Sequence, residues 1–185
     1  MKELINGYFE KLKSTIDNLD RNEIEQFVKM LNTARENGNQ IFIMGNGGSA
    51  STASHFCCDF NKGASYGFND KKRFKFICLN DNIATMMAYS NDVSYDDVFV
   101  EQLKNFLQKD DVVIGISGSG NSKNVIKAIE YANASGAVTA GLTGYTGGKL
   151  KELAKYSVNA NINDMQVSED IHMILCHMIM QIVCK

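Results

Sequence analysis

Apolar residues return every three or four positions at the start of the chain. Leu4, Ile5, Tyr8, Phe9, Leu12, Ile16 and Leu19 fall on one stripe, and this spacing predicts a helix. Asp20 with Glu23 has the form of a capping box and predicts the start of a second helix. Ile24, Phe27, Val28, Leu31 and Ala34 give that helix its apolar face, and Gly38 ends it. From Gln40 the pattern changes to short, near-continuous apolar runs separated by helical periods. Strands are predicted at Ile41–Met44, Phe74–Leu79, Val112–Ile116, Val138–Leu142 and Tyr156–Val158. Helices are predicted around 49–61, 82–91, 95–107, 122–135, 148–155 and 166–184. Strands apolar on both faces, alternating with helices, predict an α/β fold with a parallel sheet covered on both sides. The helical pair at 1–37 must pack on that sheet or on another subunit, and the pattern does not choose.

Composition changes this picture little. The chain has 185 residues, no proline and no low-complexity linker, so 1–185 is read as one domain. A net charge of −2 and the lack of a long Lys/Arg run give no footprint for nucleic acid. Lys71-Lys72-Arg73 reads as solvated surface. No run reaches membrane-spanning length, and Met1-Lys2-Glu3-Leu4 lacks the apolar core of a signal peptide, so a cytoplasmic location is expected. Cysteines at 57, 58, 78, 176 and 184 are odd in number and lack C-x-x-C spacing, the pattern of free thiols in a reducing compartment.

Two loops bring in the chemistry. Met44-Gly45-Asn46-Gly47-Gly48-Ser49-Ala50 links a strand to a helix, and so does Ile116-Ser117-Gly118-Ser119-Gly120-Asn121-Ser122. Ligands of parallel sheets bind beyond the carboxyl ends of the strands, where both loops sit. No stretch supplies a Walker pattern, and Lys123 stands where a dinucleotide fingerprint after Gly118-Ser119-Gly120 needs its third glycine, so no nucleotide cofactor is expected. Serine hydroxyls and the N–H groups of a helix start suit a phosphate. The same residues also serve simply to make turns and cap helices.

Taken together, Gly45-Asn46-Gly47-Gly48-Ser49-Ala50, the segment 116–125 and Gly144-Tyr145-Thr146-Gly147-Gly148-Lys149 resemble a sugar isomerase (SIS) domain. Within that superfamily the chain is similar to the phosphoheptose isomerases, which interconvert sedoheptulose 7-phosphate and D-glycero-D-manno-heptose 7-phosphate. The likeness runs through nearly the whole chain, including the terminal segment from Glu169 to His177.

The resemblance implies a flavodoxin-like three-layer domain with a five-stranded parallel sheet. It implies a homotetramer, or dimer of dimers, with sites built across subunits, and a product used for lipopolysaccharide or capsule precursors. It places Asp59 where the family has its catalytic glutamate and His177 at the catalytic histidine, the acid–base partner. It places His55, Asp59, Glu169 and His177 at positions that bind zinc in some members. Asn46, Gly47, Gly48, Ser49, Ser117, Gly118, Ser119 and Ser122 would hold the phosphate, and Asp92 and Gln166 would contact substrate.

The chain departs from the pattern in places. Asp59 is one methylene shorter than glutamate, and Glu169 replaces a glutamine and offers a second carboxylate as base or ligand. Gln166 replaces an aspartate, Gly118 a threonine, and Gly63 an arginine beside Lys62. Simpler readings remain for single residues: Asp59 as a surface acid paired with Lys62, His55 as a buried histidine. His172 and His177, about 140° apart around a helix, cannot both face the site. Ile171, Ile174, Leu175, Met178, Ile179 and Ile182 form a stripe for core or subunit interface. Two other functions fit the same family: a non-catalytic phosphosugar- or protein-binding module of the replication-initiator-associated type, and an isomerase for another ketose or amino-sugar phosphate.

Overall fold

The computed structural model describes residues 1–64 and 72–185. Two helices come first, α1 (Lys2–Asp17) and α2 (Arg21–Asn37). Then follow β1 (Ile41–Gly45), α3 (Gly48–Cys58), β2 (Phe76–Cys78), α4 (Ile83–Asp92), α5 (Val100–Phe106), β3 (Val112–Ser117), α6 (Lys123–Ala134), β4 (Val138–Gly144), α7 (Gly148–Leu153), β5 (Tyr156–Ala160) and α8 (Met165–Val183). The five strands form one sheet in the order β2-β1-β3-β4-β5, with every pairing parallel. This is the flavodoxin-like order. The chain leaves β1 toward one edge and β3 toward the other, so the crevice between their carboxyl ends is a topological switch point.

Strand periodicity divides the core into two layers. Ile41 and Ile43 face the layer built with Phe27, Phe56, Ile171 and Leu175, against α2, α3 and α8. Phe42 and Met44 face the layer of Phe99, Leu103, Val125 and Leu150, against α5, α6 and α7. The predicted stripe of α1 splits. Tyr8, Leu12 and Ile16 pack against the first layer and Leu19 is buried, while Leu4, Ile5 and Phe9 stay exposed. Tyr8 bonds Asp170 of α8, and Lys11 bonds Asp164, the N-cap of that helix, at 2.6 Å each. The bond to Asp170 pushes the Tyr8 phenol up to about 12.

Several expectations shift in detail. Asp20 accepts from the N–H groups of Asn22 and Glu23, but Glu23 does not close the box. Its carboxylate takes the Asn159 N–H of β5 at 3.3 Å and lies 3.8 Å from Lys151. Gly38 ends α2 in the left-handed region, at φ 73°. The strand expected over Phe74–Leu79 pairs only from Phe76 to Cys78. On its outer edge the Asn61 side chain both donates to and accepts from the backbone of Phe76, at 2.9 Å each, as a neighbouring strand would. The helix expected over 49–61 is α3 followed by a π turn at Asp59–Gly63, and that over 95–107 is a 3₁₀ turn at Tyr95–Asp97 followed by α5. On α8, Ile171, Leu175 and Ile179 are core, while Ile174 and Ile182 look outward. All five cysteines are free, with Cys57, Cys78 and Cys176 buried and Cys58 exposed. Of the basic triplet, Lys71 lies outside the described residues, and Lys72 and Arg73 are exposed. Among the described residues, no helix is long and apolar enough to cross a membrane.

Candidate active site

At the switch point a cavity of about 300 Å³ opens between the loops after β1 and β3. It is lined by Asn46, Gly47, Gly48, Ser49, Ile116, Ser117, Gly118, Ser119, Ser122, Met165 and Glu169. The first loop is tight because Gly45 has no Cβ; one placed there would lie 2.7 Å from the Ser49 backbone. Gly47, at φ 55°, then starts α3 with no side-chain cap. In the second loop, Ser122 starts α6 without capping it. Its hydroxyl instead meets that of Ser117 at 3.0 Å. Two helix N-termini, neither capped by its own N-cap side chain, therefore point positive dipole ends at one cavity, with serine hydroxyls beside them. Ser119 serves the turn itself, its hydroxyl accepting from the Asn121 N–H at 3.2 Å. Gly118 leaves room for Met165, whose sulfur would sit 2.4 Å from a Cβ at 118.

α3 begins at this cradle and ends in a cluster of titratable groups. His55 and Asp59, one turn apart, have Nε2 and Oδ2 3.3 Å from each other. His177 of α8 brings its Nε2 to 2.9 Å from that of His55 and 3.9 Å from Asp59 Oδ2. The imidazoles meet edge to face, with centroids 5.0 Å apart. The Asp59 side chain is 19% exposed, those of His55 and His177 40% and 51%. Asp59 thus partners two histidines, and His55 is not a core residue. Below the cluster, burial and then the charge of Asp59 push the Cys176 thiol up, keeping it protonated.

These three groups fit a metal ion. Their ligand atoms lie within 4.8 Å of one another. Their spacings bracket the roughly 3.3 Å between ligands that tetrahedral zinc requires with bonds near 2.0–2.1 Å. Two imidazoles and a carboxylate are also a common donor set for a zinc site with an open position. Glu169, expected as a fourth ligand, is not in this group. It lies two turns before His177, about 12 Å along α8. Its carboxylate rests on Gly48, where a Cβ would come within 2.4 Å of Oε2. Glu169 therefore belongs to the cradle.

Other expected positions fall outside the cavity. Asp92 ends α4, exposed, and accepts from the Asn91 side chain at 2.7 Å. Gln166 is exposed on the first turn of α8. His172 is 1% exposed, and its Nε2 donates to the Thr143 carbonyl at 3.1 Å, so it is structural. Three residues around the first loop escaped sequence reasoning. Asn80 clamps the Gly45 peptide, accepting from its N–H at 3.1 Å and donating to its carbonyl at 2.8 Å. Asn124 and Tyr95 both bond the side chain of Asn46. Only the position of Asn124 inside the serine motif gave any signal.

Residues 7–144 match the family model for the SIS domain. The chain is 36% identical over 170 residues to a phosphoheptose isomerase of Helicobacter pylori strain P12, covering 92% of this chain and 86% of that one. It is 37% identical over 160 residues to the phosphoheptose isomerase of Aliarcobacter butzleri, covering 86% and 83%. Among solved structures, phosphoheptose isomerase GmhA from Neisseria gonorrhoeae superposes with a TM-score of 0.89 at 26% identity, covering 98% of this chain and 97% of the other.

Proposed function

The chain belongs to the SIS-domain family, among the phosphoheptose isomerases, and from that premise we propose that it interconverts sedoheptulose 7-phosphate and D-glycero-D-manno-heptose 7-phosphate. One observation carries the reading to the site: the same helix, α3, starts in an anion cradle and ends at a carboxylate flanked by two imidazoles. The 11 residues of α3 span roughly 15 Å, shortened in effect because helix side chains tilt toward the N-terminus. A long-chain sugar phosphate suits that separation better than a triose phosphate.

In this reading Ser49, Ser117, Ser119 and Ser122 bind the phosphate, with the backbone of Asn46, Gly47, Gly48 and Gly118. Asp59 removes a proton from C1 of the ketose, the electrons form the enediol, and the proton is returned at C2 to give the aldose. His177 moves the accompanying proton between the C1 and C2 oxygens. Glu169 is the alternative base, because its carboxylate lines the cradle. His55, Asp59 and His177 would hold zinc, which when bound polarises a substrate carbonyl. Asp92 and Gln166 would read sugar hydroxyls in an assembly whose subunits complete one another's sites. α4, which buries no residue, and the uncovered apolar edge of α1 support a homotetramer. Five free thiols support a cytoplasmic enzyme, 1–185 is taken as a single SIS domain, and its product would feed lipopolysaccharide or capsule precursor synthesis.

The test is turnover. Purified protein, with and without added zinc, is incubated with sedoheptulose 7-phosphate and with C5 and C6 ketose phosphates, and the aldose signal is followed by NMR. Preferred conversion of the heptulose phosphate is expected. Tight binding without conversion of any member would favour the non-catalytic phosphosugar module.

A further inference from the structure

The two loops of the cradle belong to different strand–helix units, yet their spacing decides how a ligand anchored on one meets groups carried by the other. Asn124, in the first turn of α6 and only 2% exposed, ties them together. The Val125 N–H donates to Asn124 Oδ1 at 2.9 Å, and a backbone N–H can only donate, so the sense of this amide is fixed. Asn124 Nδ2 is then turned to Asn46 Oδ1 at 2.9 Å, and Asn46 Nδ2 donates back to Asn124 Oδ1 at 2.8 Å. The fixed Asn124 amide thereby sets the sense of Asn46, and the Tyr95 hydroxyl donates to the same Asn46 Oδ1 at 2.7 Å. Asn124 is not among the residues lining the cavity.

We infer that Asn124 is a positioning residue. By holding Asn46 it keeps the start of α3 in register with the serine loop. A sugar whose phosphate sits at Ser117–Ser122 is thereby laid along α3 toward Asp59. The inference rests on the isomerase reading. It differs from a purely structural role in what its loss should spare: inorganic phosphate, free to reseat between the two loops, tolerates a small shift in their register, whereas turnover does not. A misplacement near 1 Å is enough to lower a rate about a hundredfold.

The test compares wild type, Asn124→Ala, Asn46→Ala and the double variant. Asn124→Ser, which is shorter but keeps a hydroxyl for the Val125 N–H, serves as a second probe should the alanine variant fold poorly. Binding of inorganic phosphate and of sedoheptulose 7-phosphate is measured by calorimetry, alongside kcat, KM and thermal midpoint. Asn124→Ala and Asn124→Ser are expected to lower kcat by about tenfold or more, with phosphate affinity within about twofold of wild type. The double variant is expected to be no worse than Asn46→Ala alone, since the two side chains act as a unit. Parallel loss of phosphate affinity and kcat, or additive effects in the double variant, would overturn the inference. Should wild type turn over no ketose phosphate, the isomerase reading fails separately. The tie is then read from binding: Asn124→Ala must weaken the sugar phosphate and spare inorganic phosphate, and equal affinities for the sugar phosphate in both proteins would reject it.

Discussion

His172 and His177 lie five residues apart on α8 and are set in opposite environments. His177 faces His55 and Asp59 at the surface of the site, while His172 is enclosed, with its Nδ1 unpartnered. Burial brings the His172 imidazole down to about 4 from the usual 6.5, against an upward pull from its bond to the Thr143 carbonyl. Because the folded value is depressed for a base, the unfolded chain takes up the proton first. Stability is therefore intact above about pH 6.5 and declines as the pH drops toward 4, by about 1.4 kcal/mol per unit and on the order of 3 kcal/mol in all. Urea unfolding at pH 7 and pH 5 should show this loss in wild type and a flatter dependence in His172→Gln. The same pH dependence in both proteins would contradict the assignment. Of the pair, helical geometry alone allowed at most one histidine to face the site, and His177 is the one beside His55 and Asp59. The roles of Asn80, Tyr95 and Asn124 were not legible in the sequence, because each depends on side-chain contacts between segments 35, 49 or 78 positions apart.

At the scale of elements, the apolar runs specified the strands well because both sheet faces are covered, which leaves few polar positions to blur them. Where a side chain stands in for backbone, the pattern failed. Asn61 pairs with the outer edge of Phe76 in place of a further strand, and Glu23 leaves its capping box for Asn159. The π turn that begins at Asp59 was equally invisible to periodicity. The resemblance implied Glu169 and His177 as ligands of one metal, and two helical turns separate them on α8. α1 shows how an amphipathic stripe can serve two partners: its inner residues pack on the core, while Leu4 is 77% and Phe9 54% exposed. If those residues meet another subunit, Leu4→Lys with Phe9→Lys should lower the mass seen by light scattering to that of a smaller species. Exposed positions contribute little within one chain, so circular dichroism should be unchanged. An unchanged mass would place the contact elsewhere.

For the whole molecule, the strand order does most to create the site. With β1 and β3 adjacent and their connections diverging, two helix N-termini converge on one crevice, and α8 crosses back to supply Glu169 to the cradle and His177 to the far end of α3. That the two loops share one cavity was legible because glycine and serine spacing records backbone geometry directly. The catalytic half was less so, since an aspartate and a glutamate both replace expected residues and only the fold shows that they lie at different ends of the site. In the proposed reaction Asp59 does the proton transfer between C1 and C2 of a bound heptulose phosphate. Its most direct test is NMR of sedoheptulose 7-phosphate in deuterated buffer with wild type, Asp59→Asn and Glu169→Gln. Deuterium is expected at C1 of the recovered ketose with wild type and with Glu169→Gln. With Asp59→Asn the expected rate is lower by about a hundredfold or more at nearly unchanged phosphosugar affinity. Wild-type exchange persisting in Asp59→Asn and vanishing in Glu169→Gln would move the base into the cradle, and no exchange in any of the three would contradict the isomerase itself.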